Sequence, residues 1–229
     1  MKKILILLVL AFSWAFASKQ AMLILDASGS MWGQIDGKEK IVIAKEAVYK
    51  VIKDWDESIH VGLMVYGHRK KGDCEDIEVL MPTGKIDKAI LKQKVSQISP
   101  KGKTPISKSL QKAAKILRFT EDEATIILIS DGKETCDSDP CEVAKELEKL
   151  GINFTAHVIG FNVDANTDKQ LSCIAKATGG KYFSAKNPKD LNNALKKLVK
   201  EVKKPKTTLK ISVRESQENK NSQGLQLDI

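Results

Sequence analysis

The stretch AMLILDASGS, residues 21–30, decides the fold of this chain. Its first half, residues 21–25, is a short continuous apolar run, which is typical of a strand buried on both faces of a parallel sheet. Three oxygen-bearing side chains follow at alternate positions, namely Asp26, Ser28 and Ser30. Because alternate side chains of an extended backbone project to the same side, these groups can converge on one point. The stretch therefore predicts a buried strand that ends in hard oxygen donors.

Outward from this strand, short β-rich runs alternate with amphipathic helical patterns. The further predicted strands are residues 61–66, 77–81, 125–129, 154–159 and 181–184, and the predicted helices are about 41–55, 86–98, 106–119, 141–150, 168–177 and 189–202. The polar connection from 66 to 77 is too short for a crossover helix, so we expect its two strands to pair antiparallel. The series predicts an α/β fold with a doubly wound, Rossmann-like, mostly parallel six-stranded sheet, one antiparallel edge strand and helices on both faces.

The ends of the chain predict export and one domain boundary. Residues 1–17 are typical of a signal peptide, because Lys2 and Lys3 precede an apolar run that ends in the small-x-small sequence Ala15-Phe16-Ala17. The run is shorter than the roughly 20 residues that span a membrane, so we expect no transmembrane segment in the mature chain. We place one domain at residues 18–203. Residues 204–229 are expected to be a linker and the start of a β-rich region that a longer protein would continue.

Charge and composition argue against a nucleic acid partner. The 38 Lys and Arg residues exceed the 29 Asp and Glu residues, for a formal net charge of +9. The lysines are scattered over the predicted helices, without the arginine cluster or the interleaved aromatic residues that nucleic acid binding favours. We therefore predict a solvated lysine-rich surface on a protein exported from a bacterial cytoplasm, to the periplasm, the cell surface or the medium.

The four cysteines indicate disulfide bonds. An even number of cysteines in an exported chain predicts two disulfides, and the spacing Cys136-x4-Cys141 is poor for zinc. Cys141 and Cys173 open successive helices, which crossovers of one hand place side by side on one face of the sheet. We therefore favour Cys141–Cys173 together with Cys74–Cys136, with Cys136–Cys141 as the close alternative.

Two further segments carry oxygen donors toward the same edge of the sheet. Lys101-Gly102-Lys103-Thr104-Pro105 precedes the predicted helix 106–119, and Ser130-Asp131-Gly132 ends the predicted strand 125–129. Thr104 could be a helix N-cap and Asp131 a turn residue. Both nevertheless fall where doubly wound sheets bind ligands, beyond the carboxyl ends of the strands. Carboxylates and hydroxyls suit Mg²⁺, Mn²⁺ or Ca²⁺, so we predict a metal site made of Asp26, Ser28, Ser30, Thr104 and Asp131.

This combination resembles the metal-ion-dependent adhesion site of von Willebrand factor A domains, as found in bacterial secreted proteins and in integrin inserted domains. Asp26-x-Ser28-x-Ser30, Thr104 in a Gly-x-Thr-Pro setting and Asp131 in Ser-Asp-Gly match all five motif positions. The resemblance implies that Ser28 and Ser30 coordinate the ion directly and that the two aspartates act mainly through ordered water. Thr104 would bind directly or through water, depending on the conformational state. It also implies that a Glu or Asp of a protein partner fills the last coordination position.

The loops around the predicted site are expected to choose the partner. Trp32 directly follows the Asp-x-Ser-x-Ser stretch and is either an aromatic contact anchor or a buried packing residue. His68 and Arg69 lie in the connection between the strands 61–66 and 77–81. His68 is interpreted as a solvated loop histidine, with a pH-sensitive or metal-binding role as the alternative, and Arg69 favours an acidic partner or a soluble sheet edge.

The leading functional hypothesis is a non-enzymatic module that captures an acidic residue of a partner protein through a bound divalent cation. One alternative is a metal-assisted hydrolase or phosphotransferase. Phosphatases with such a strand end need a second Asp two residues on, where this chain has Ser28, and no nucleophile–base pair is apparent. The other alternative is an assembly domain in which the metal only holds loops together.

Overall fold

The computed structural model describes residues 19–119, 123–151 and 153–203 of the chain. The predicted signal peptide at 1–17 and the predicted linker and β-rich region at 204–229 lie outside the described residues. Among the described residues, no helix combines the length and the apolar character needed to cross a membrane.

Strands and helices alternate along the described chain. The strands are β1 (Gln20–Asp26), β2 (Gln34–Ile35), β3 (Lys38–Glu39), β4 (His60–Tyr66), β5 (Ile77–Gly84), β6 (Glu123–Ser130), β7 (Asn153–Phe161) and β8 (Tyr182–Ala185). The helices are α1 (Lys40–Lys53), α2 (Lys88–Ser96), α3 (Ile106–Ile116), α4 (Pro140–Leu150), α5 (Ala165–Ala177) and α6 (Pro188–Lys203). A single 3₁₀ turn, Gly29–Trp32, follows β1.

The main sheet has six strands in the order β5-β4-β1-β6-β7-β8. β1 pairs parallel with both β4 and β6, and the parallel pairing continues through β7 to β8. β5 pairs antiparallel with β4 at the edge of the sheet. The predicted fold class is therefore confirmed, including its single antiparallel edge strand. The strand order reverses around β1, so a crevice opens at the carboxyl ends of β1, β4 and β6.

Helices cover both faces of this sheet and create two apolar layers. On one face, Leu23 and Leu25 pack with buried residues of α1, α2 and α6. On the other face, Met22 and Ile24 pack with buried residues of α3, α4 and α5. All four side chains are at most 1% exposed, because successive residues of β1 point to opposite and equally covered faces. This double burial is the reason for the continuous apolar run.

The sequence prediction missed one element, the small antiparallel hairpin formed by β2 and β3. Its turn residues Asp36 and Gly37 have φ values of 53° and 77°, the left-handed conformation that a two-residue hairpin turn requires. Asp-Gly is a strong local signal for such a turn, and it stands in the sequence. The hairpin leads directly into α1, so it determines where the first helix begins.

The boundaries of several helices also differ from the predicted ones. α5 begins at Ala165 rather than near residue 168, because the Asp164 carboxylate accepts a hydrogen bond from the Thr167 N–H and caps the helix there. α2 is shorter than its predicted range, and α1 begins one residue earlier, at Lys40. These changes leave the order of elements intact.

Candidate functional site

Three loops meet at the carboxyl edge of the sheet: the loop after β1, the segment before α3, and the loop after β6. The first two are joined by backbone hydrogen bonds, with Gly29 N–H donating to Gly102 O at 3.0 Å and Lys101 N–H donating to Ala27 O at 3.1 Å. Ser28 and Gly102 also form an isolated parallel bridge. The segment before α3 is therefore held against β1 as a short strand extension.

Two glycines allow this close approach. A β-carbon on Gly67, at the end of β4, would lie 2.5 Å from Lys103 O and 3.0 Å from Ser28 Cα. A β-carbon on Gly102 would lie 2.5 Å from Lys70 O. Gly67 O accepts hydrogen bonds from the N–H groups of Lys101 and Gly102, at 2.9 Å and 2.7 Å. Any larger residue at Gly67 or Gly102 would separate the loops that carry the predicted ligands.

Asp26 is fully buried beneath the site. Its Oδ1 accepts a hydrogen bond from the Ser28 N–H at 2.7 Å, and its Oδ2 accepts one from the Ser130 hydroxyl at 2.6 Å. Burial, and then the negative charge of Asp131, raises the pKa of Asp26 from 3.8 to about 6, although the hydrogen bonds from Ser130 and Ser28 favour the ionised form. Asp26 is thus a carboxylate whose negative charge is poorly compensated by its surroundings.

Ser28, Ser30 and Asp131 form a continuous hydrogen-bonded group above Asp26. The Ser28 and Ser30 hydroxyl oxygens lie 3.0 Å apart, and the Ser30 hydroxyl donates to Asp131 Oδ1 at 2.6 Å. The other oxygen of Asp131, Oδ2, accepts a hydrogen bond from the Lys40 ammonium at 2.9 Å. The Asp131 side chain is completely shielded from solvent. Donors from the ends of β1 and β6 therefore meet, as predicted.

Thr104 completes this group from the third loop. A β-carbon on Gly132 would lie 3.5 Å from the Ser30 hydroxyl oxygen and 3.7 Å from Thr104 Oγ1. Both oxygens therefore border the space that Gly132 leaves open. Thr104 is held by Thr135 in both directions, because the Thr104 N–H donates to Thr135 Oγ1 at 2.8 Å and the Thr135 N–H donates to Thr104 O at 3.2 Å. The structure brings all five predicted ligand residues together.

The group opens into a cavity of about 490 Å³. Its lining includes Ser28, Ser30, Thr104 and Asp131, together with Asp164 and Thr167 at the start of α5 and the exposed residues Lys103 and Lys133. The donors are carboxylate and hydroxyl oxygens, and the described residues contain no group of three or more His, Cys, Asp or Glu side chains that could hold a metal ion. This donor set fits a hard divalent cation such as Mg²⁺ and does not fit a zinc site of nitrogen and sulfur ligands.

The three predicted rim residues lie outside the described lining of the cavity. Trp32 is 50% exposed, and its indole N–H donates to Pro100 O at 2.8 Å, so the ring is anchored rather than buried. His68 is partly buried, with Nε2 lying 3.1 Å from a carboxylate oxygen of Glu78. Burial lowers the pKa of His68, against the charges of Asp76 and Glu78. The prediction that His68 is a solvated loop histidine is therefore wrong, because its ring is packed against the protein.

Arg69 also has internal partners. Its Nε donates to Asp76 Oδ1 at 2.7 Å, and its Nη1 lies 3.2 Å from Glu78 Oε2. Asp76 is buried and also accepts hydrogen bonds from the N–H groups of Arg69 and Lys70. The guanidinium therefore organises its own loop, although 44% of the side chain stays exposed.

Sequence reasoning missed three residues that support the site. Ser130 connects Asp26 to Tyr66, whose buried hydroxyl donates to the Ser130 hydroxyl at 3.2 Å. Burial raises the pKa of Tyr66 well above its ordinary value, which keeps this hydroxyl a donor. Lys40 reaches Asp131 from the start of α1. Ser130 was adjacent to a predicted ligand, but Tyr66 and Lys40 carried no local signal.

The disulfides are Cys74–Cys136 and Cys141–Cys173, with Cα–Cα distances of 5.7 Å and 5.5 Å. This is the pairing favoured from the sequence, and it replaces the alternative Cys136–Cys141. The first bond joins the connection between β4 and β5 to the loop after β6. The second joins the start of α4 to α5, so the two helices lie side by side as expected.

Comparison with known proteins agrees with this architecture. A family model described as von Willebrand factor type A domain matches residues 22–201. The chain is 34% identical over 186 residues to the uncharacterized protein YwmC of Bacillus subtilis (strain 168), which covers 77% of this chain and 81% of YwmC.

Solved structures share the fold at lower identity. The von Willebrand factor type A structure from Catenulispora acidiphila has a TM-score of 0.66 at 23% identity, covering 81% of this chain but only 43% of that one. The vWF domain of the type V pili tip protein Mfa5 from Porphyromonas gingivalis has a TM-score of 0.63 at 16% identity, covering 82% of this chain and 97% of that domain. The family match over residues 22–201, supported by this fold, shows that the chain belongs to the von Willebrand factor type A domain family.

Proposed function

We propose that this chain is a non-enzymatic protein-binding module that holds a divalent cation, Mg²⁺ or a similar hard ion, and captures a Glu or Asp carboxylate of a partner protein through it. The observation that carries the proposal is the convergence of Ser28, Ser30, Thr104 and Asp131, from three loops, at the wall of an open cavity, with the buried carboxylate of Asp26 hydrogen-bonded behind them. A buried group of this kind contributes little to the apolar core, which favours a role in binding.

The residues divide into two roles. Ser28, Ser30 and Thr104 line the cavity. Ser28 and Ser30 would hold the ion directly, and Thr104 would bind it directly or through water, depending on the conformational state. Both oxygens of Asp26 already accept hydrogen bonds from the protein, which supports a role for Asp26 through ordered water. Asp131 is likewise bonded through both oxygens, to Ser30 and Lys40. When bound, the cation supplies a positive centre with a position for an outside carboxylate.

Three further observations support an adhesion role outside the cytoplasm. Two disulfides are typical of proteins in oxidising compartments. The site borders a cavity large enough for a side chain from another molecule. A protein of the same fold, Mfa5, is a pilus tip protein. We propose on these grounds that the chain is exported and acts on a protein surface.

The test is calorimetric titration of the purified mature chain with MgCl₂ and MnCl₂ after treatment with EDTA. We expect saturable uptake of one ion, and at least about tenfold weaker binding in the double variant Ser28→Ala/Ser30→Ala. The matched control is Ser99→Ala/Ser138→Ala, which removes two hydroxyls from exposed positions. No uptake by the unaltered protein would overturn the proposal.

A second measurement separates the proposed function from its alternatives. Immobilised protein is exposed to envelope extract in Mg²⁺ and eluted with EDTA, and acidic peptides are used as competitors. Elution by EDTA together with competition by the peptides is the expected result. Metal uptake without any cation-dependent capture would favour a structural metal, and turnover of a phosphate ester would favour the enzymatic alternative.

A further inference from the structure

Lys40 forms an ion pair inside the candidate metal site. Its ammonium nitrogen lies 2.9 Å from Asp131 Oδ2, and its side chain is only 12% exposed while that of Asp131 is 0% exposed. The other Asp131 oxygen, Oδ1, accepts the hydroxyl proton of Ser30 at 2.6 Å. One carboxylate therefore connects a predicted ligand on one side with a buried cation of the protein on the other.

Lys40 is the first residue of α1, and the chain before the helix fixes its position. The hairpin of β2 and β3 ends one residue earlier, at Glu39, and the Lys40 N–H donates to Gly33 O at 2.8 Å. A β-carbon on Gly33 would lie 3.3 Å from the Lys40 Cε atom and 3.0 Å from Ser30 O. Gly33 thus leaves the space through which the lysine chain passes. The backbone hydrogen bond to Gly33 and the path of the side chain past Gly33 together direct the Lys40 ammonium toward Asp131.

The ion pair changes the charge that a bound ion would meet. The two aspartates of the site, Asp26 and Asp131, carry a charge of −2 when both are ionised, and the ammonium of Lys40 reduces this net charge to −1. With a divalent cation in place, the net charge of the site becomes +1. Without the lysine charge, the same loaded site would be neutral. Because the group is shielded from water, a difference of one charge at this distance has a large effect on both cation and anion.

We propose that Lys40 is a positioning residue that lowers the affinity of the site for the cation and raises the affinity of the loaded site for a carboxylate. Its charge weakens the hold of the site on the divalent ion and leaves the loaded site positive toward a partner's Glu or Asp. The inference rests on the proposed function and adds to it a residue outside the five motif positions. A purely structural lysine would support both binding events, so its loss would weaken both.

The test uses Lys40→Met in the full mature chain, which keeps the length of the side chain and removes its charge. Mn²⁺ affinity is measured by titration, and acetate binding by the relaxation that the Mn²⁺-loaded protein imposes on the acetate methyl protons. We expect about tenfold tighter Mn²⁺ binding and about tenfold weaker acetate binding. Opposite signs of the two changes are the signature of the proposed role.

Three variants control this experiment. Lys38→Met removes the same charge from the same hairpin at a position paired with Glu46, and it should match the unaltered protein within about twofold in both measurements. Lys40→Arg keeps the charge and should stay close to the unaltered protein. Lys40→Gln keeps a hydrogen-bond donor without charge and should repeat the opposite changes, which preserves the test if Lys40→Met does not fold.

The outcomes distinguish this inference from the proposed function. If the unaltered protein takes up no Mn²⁺, the proposed function fails and the role of Lys40 fails with it. If the unaltered protein binds Mn²⁺ and acetate, but Lys40→Met and Lys40→Gln leave both affinities unchanged or weaken both, only the role of Lys40 is overturned.

Discussion

Gly67 is the residue on which the closest approach of the site loops depends. It combines a φ of +69° with backbone atoms of Lys103 and Ser28 at 2.5 Å and 3.0 Å from the position of a β-carbon. Gly72, in the same connection between β4 and β5, has a φ of +78° but no atom within 4 Å of that position. The two glycines share a backbone conformation and differ in their surroundings. A comparison of substitutions at the two positions therefore distinguishes the cost of backbone strain from the cost of disturbing the loop contact.

We predict that Gly67→Ala destabilises the protein far more than Gly72→Ala does. Gly72→Ala should cost about 1 kcal/mol, the usual penalty of a left-handed conformation for a residue with a β-carbon. Gly67→Ala should cost roughly 3 kcal/mol, because the β-carbon also forces the loops at Ser28 and Lys103 apart. Urea unfolding measures both, and equal losses would contradict the importance of the contact.

At the scale of elements, the loop after β6 connects a disulfide to a predicted ligand. Cys136 is bonded to Cys74, and its neighbour Thr135 exchanges two hydrogen bonds with Thr104. Glu134, in the same loop, accepts a hydrogen bond from the Ser107 N–H at 2.7 Å and thereby holds the start of α3. The bond Cys141–Cys173 joins two helices and makes no such connection to the ligand group.

We therefore expect the two disulfides to stabilise the folded protein by similar amounts but to differ in their effect on metal binding. Closing loops of 62 and 32 residues stabilises the native state by about 4 kcal/mol in both cases in the chain-entropy limit. Cys74→Ser/Cys136→Ser should also weaken Mn²⁺ binding about tenfold, because Thr104 loses its fixed support. Cys141→Ser/Cys173→Ser should leave the affinity of the folded protein unchanged. Equal binding by both double variants would refute this distinction.

At the scale of the whole molecule, the buried carboxylate of Asp26 reduces the stability of the metal-free protein at neutral pH. Its pKa is about 6 in the folded state against 3.8 for the ordinary group. Between these two values the folded protein binds more protons than the unfolded chain does. The contribution of Asp26 to the free energy of unfolding therefore falls as the pH rises from about 4 to about 6, and it stays low above that range. Asp76, whose pKa is lowered, contributes in the opposite direction, so only a difference between variants isolates Asp26.

The corresponding prediction compares Asp26→Asn with the unaltered protein in EDTA. An amide at this position can still accept the Ser28 N–H and donate to Ser130, whose hydroxyl can turn toward Gly132 O. The variant should match the unaltered protein near pH 4 and exceed its stability by roughly 2–3 kcal/mol at pH 7. Urea unfolding across this pH range measures the gap. Asp137→Asn, which removes an exposed carboxylate, is the control, and an equal gap in both variants would contradict the prediction.

The fold was predictable because its signals are local. Residues 21–25 and 126–129 are continuous apolar runs, and both lie in strands that are buried on two faces. The candidate ligand residues were predictable because four of them lie at or just after the ends of β1 and β6, and because all five motif positions, including Thr104 before α3, occur in order. The hairpin of β2 and β3 was missed although Asp36-Gly37 marked it, since its strands have two residues each and no readable periodicity.

By itself, then, the amino-acid sequence determined the order of the helices and of the main-sheet strands, the sheet with its antiparallel edge and the candidate oxygen donors, because each follows from patterns within a few residues. Only the tertiary structure decided which charges meet there. The Lys40–Asp131 ion pair joins residues 91 positions apart, and Ser130 meets Asp26 across 104 positions. The tertiary structure also decided that Arg69 forms ion pairs with Asp76 and Glu78. Such contacts depend on how loops close over a finished sheet, and no local periodicity encodes that closure.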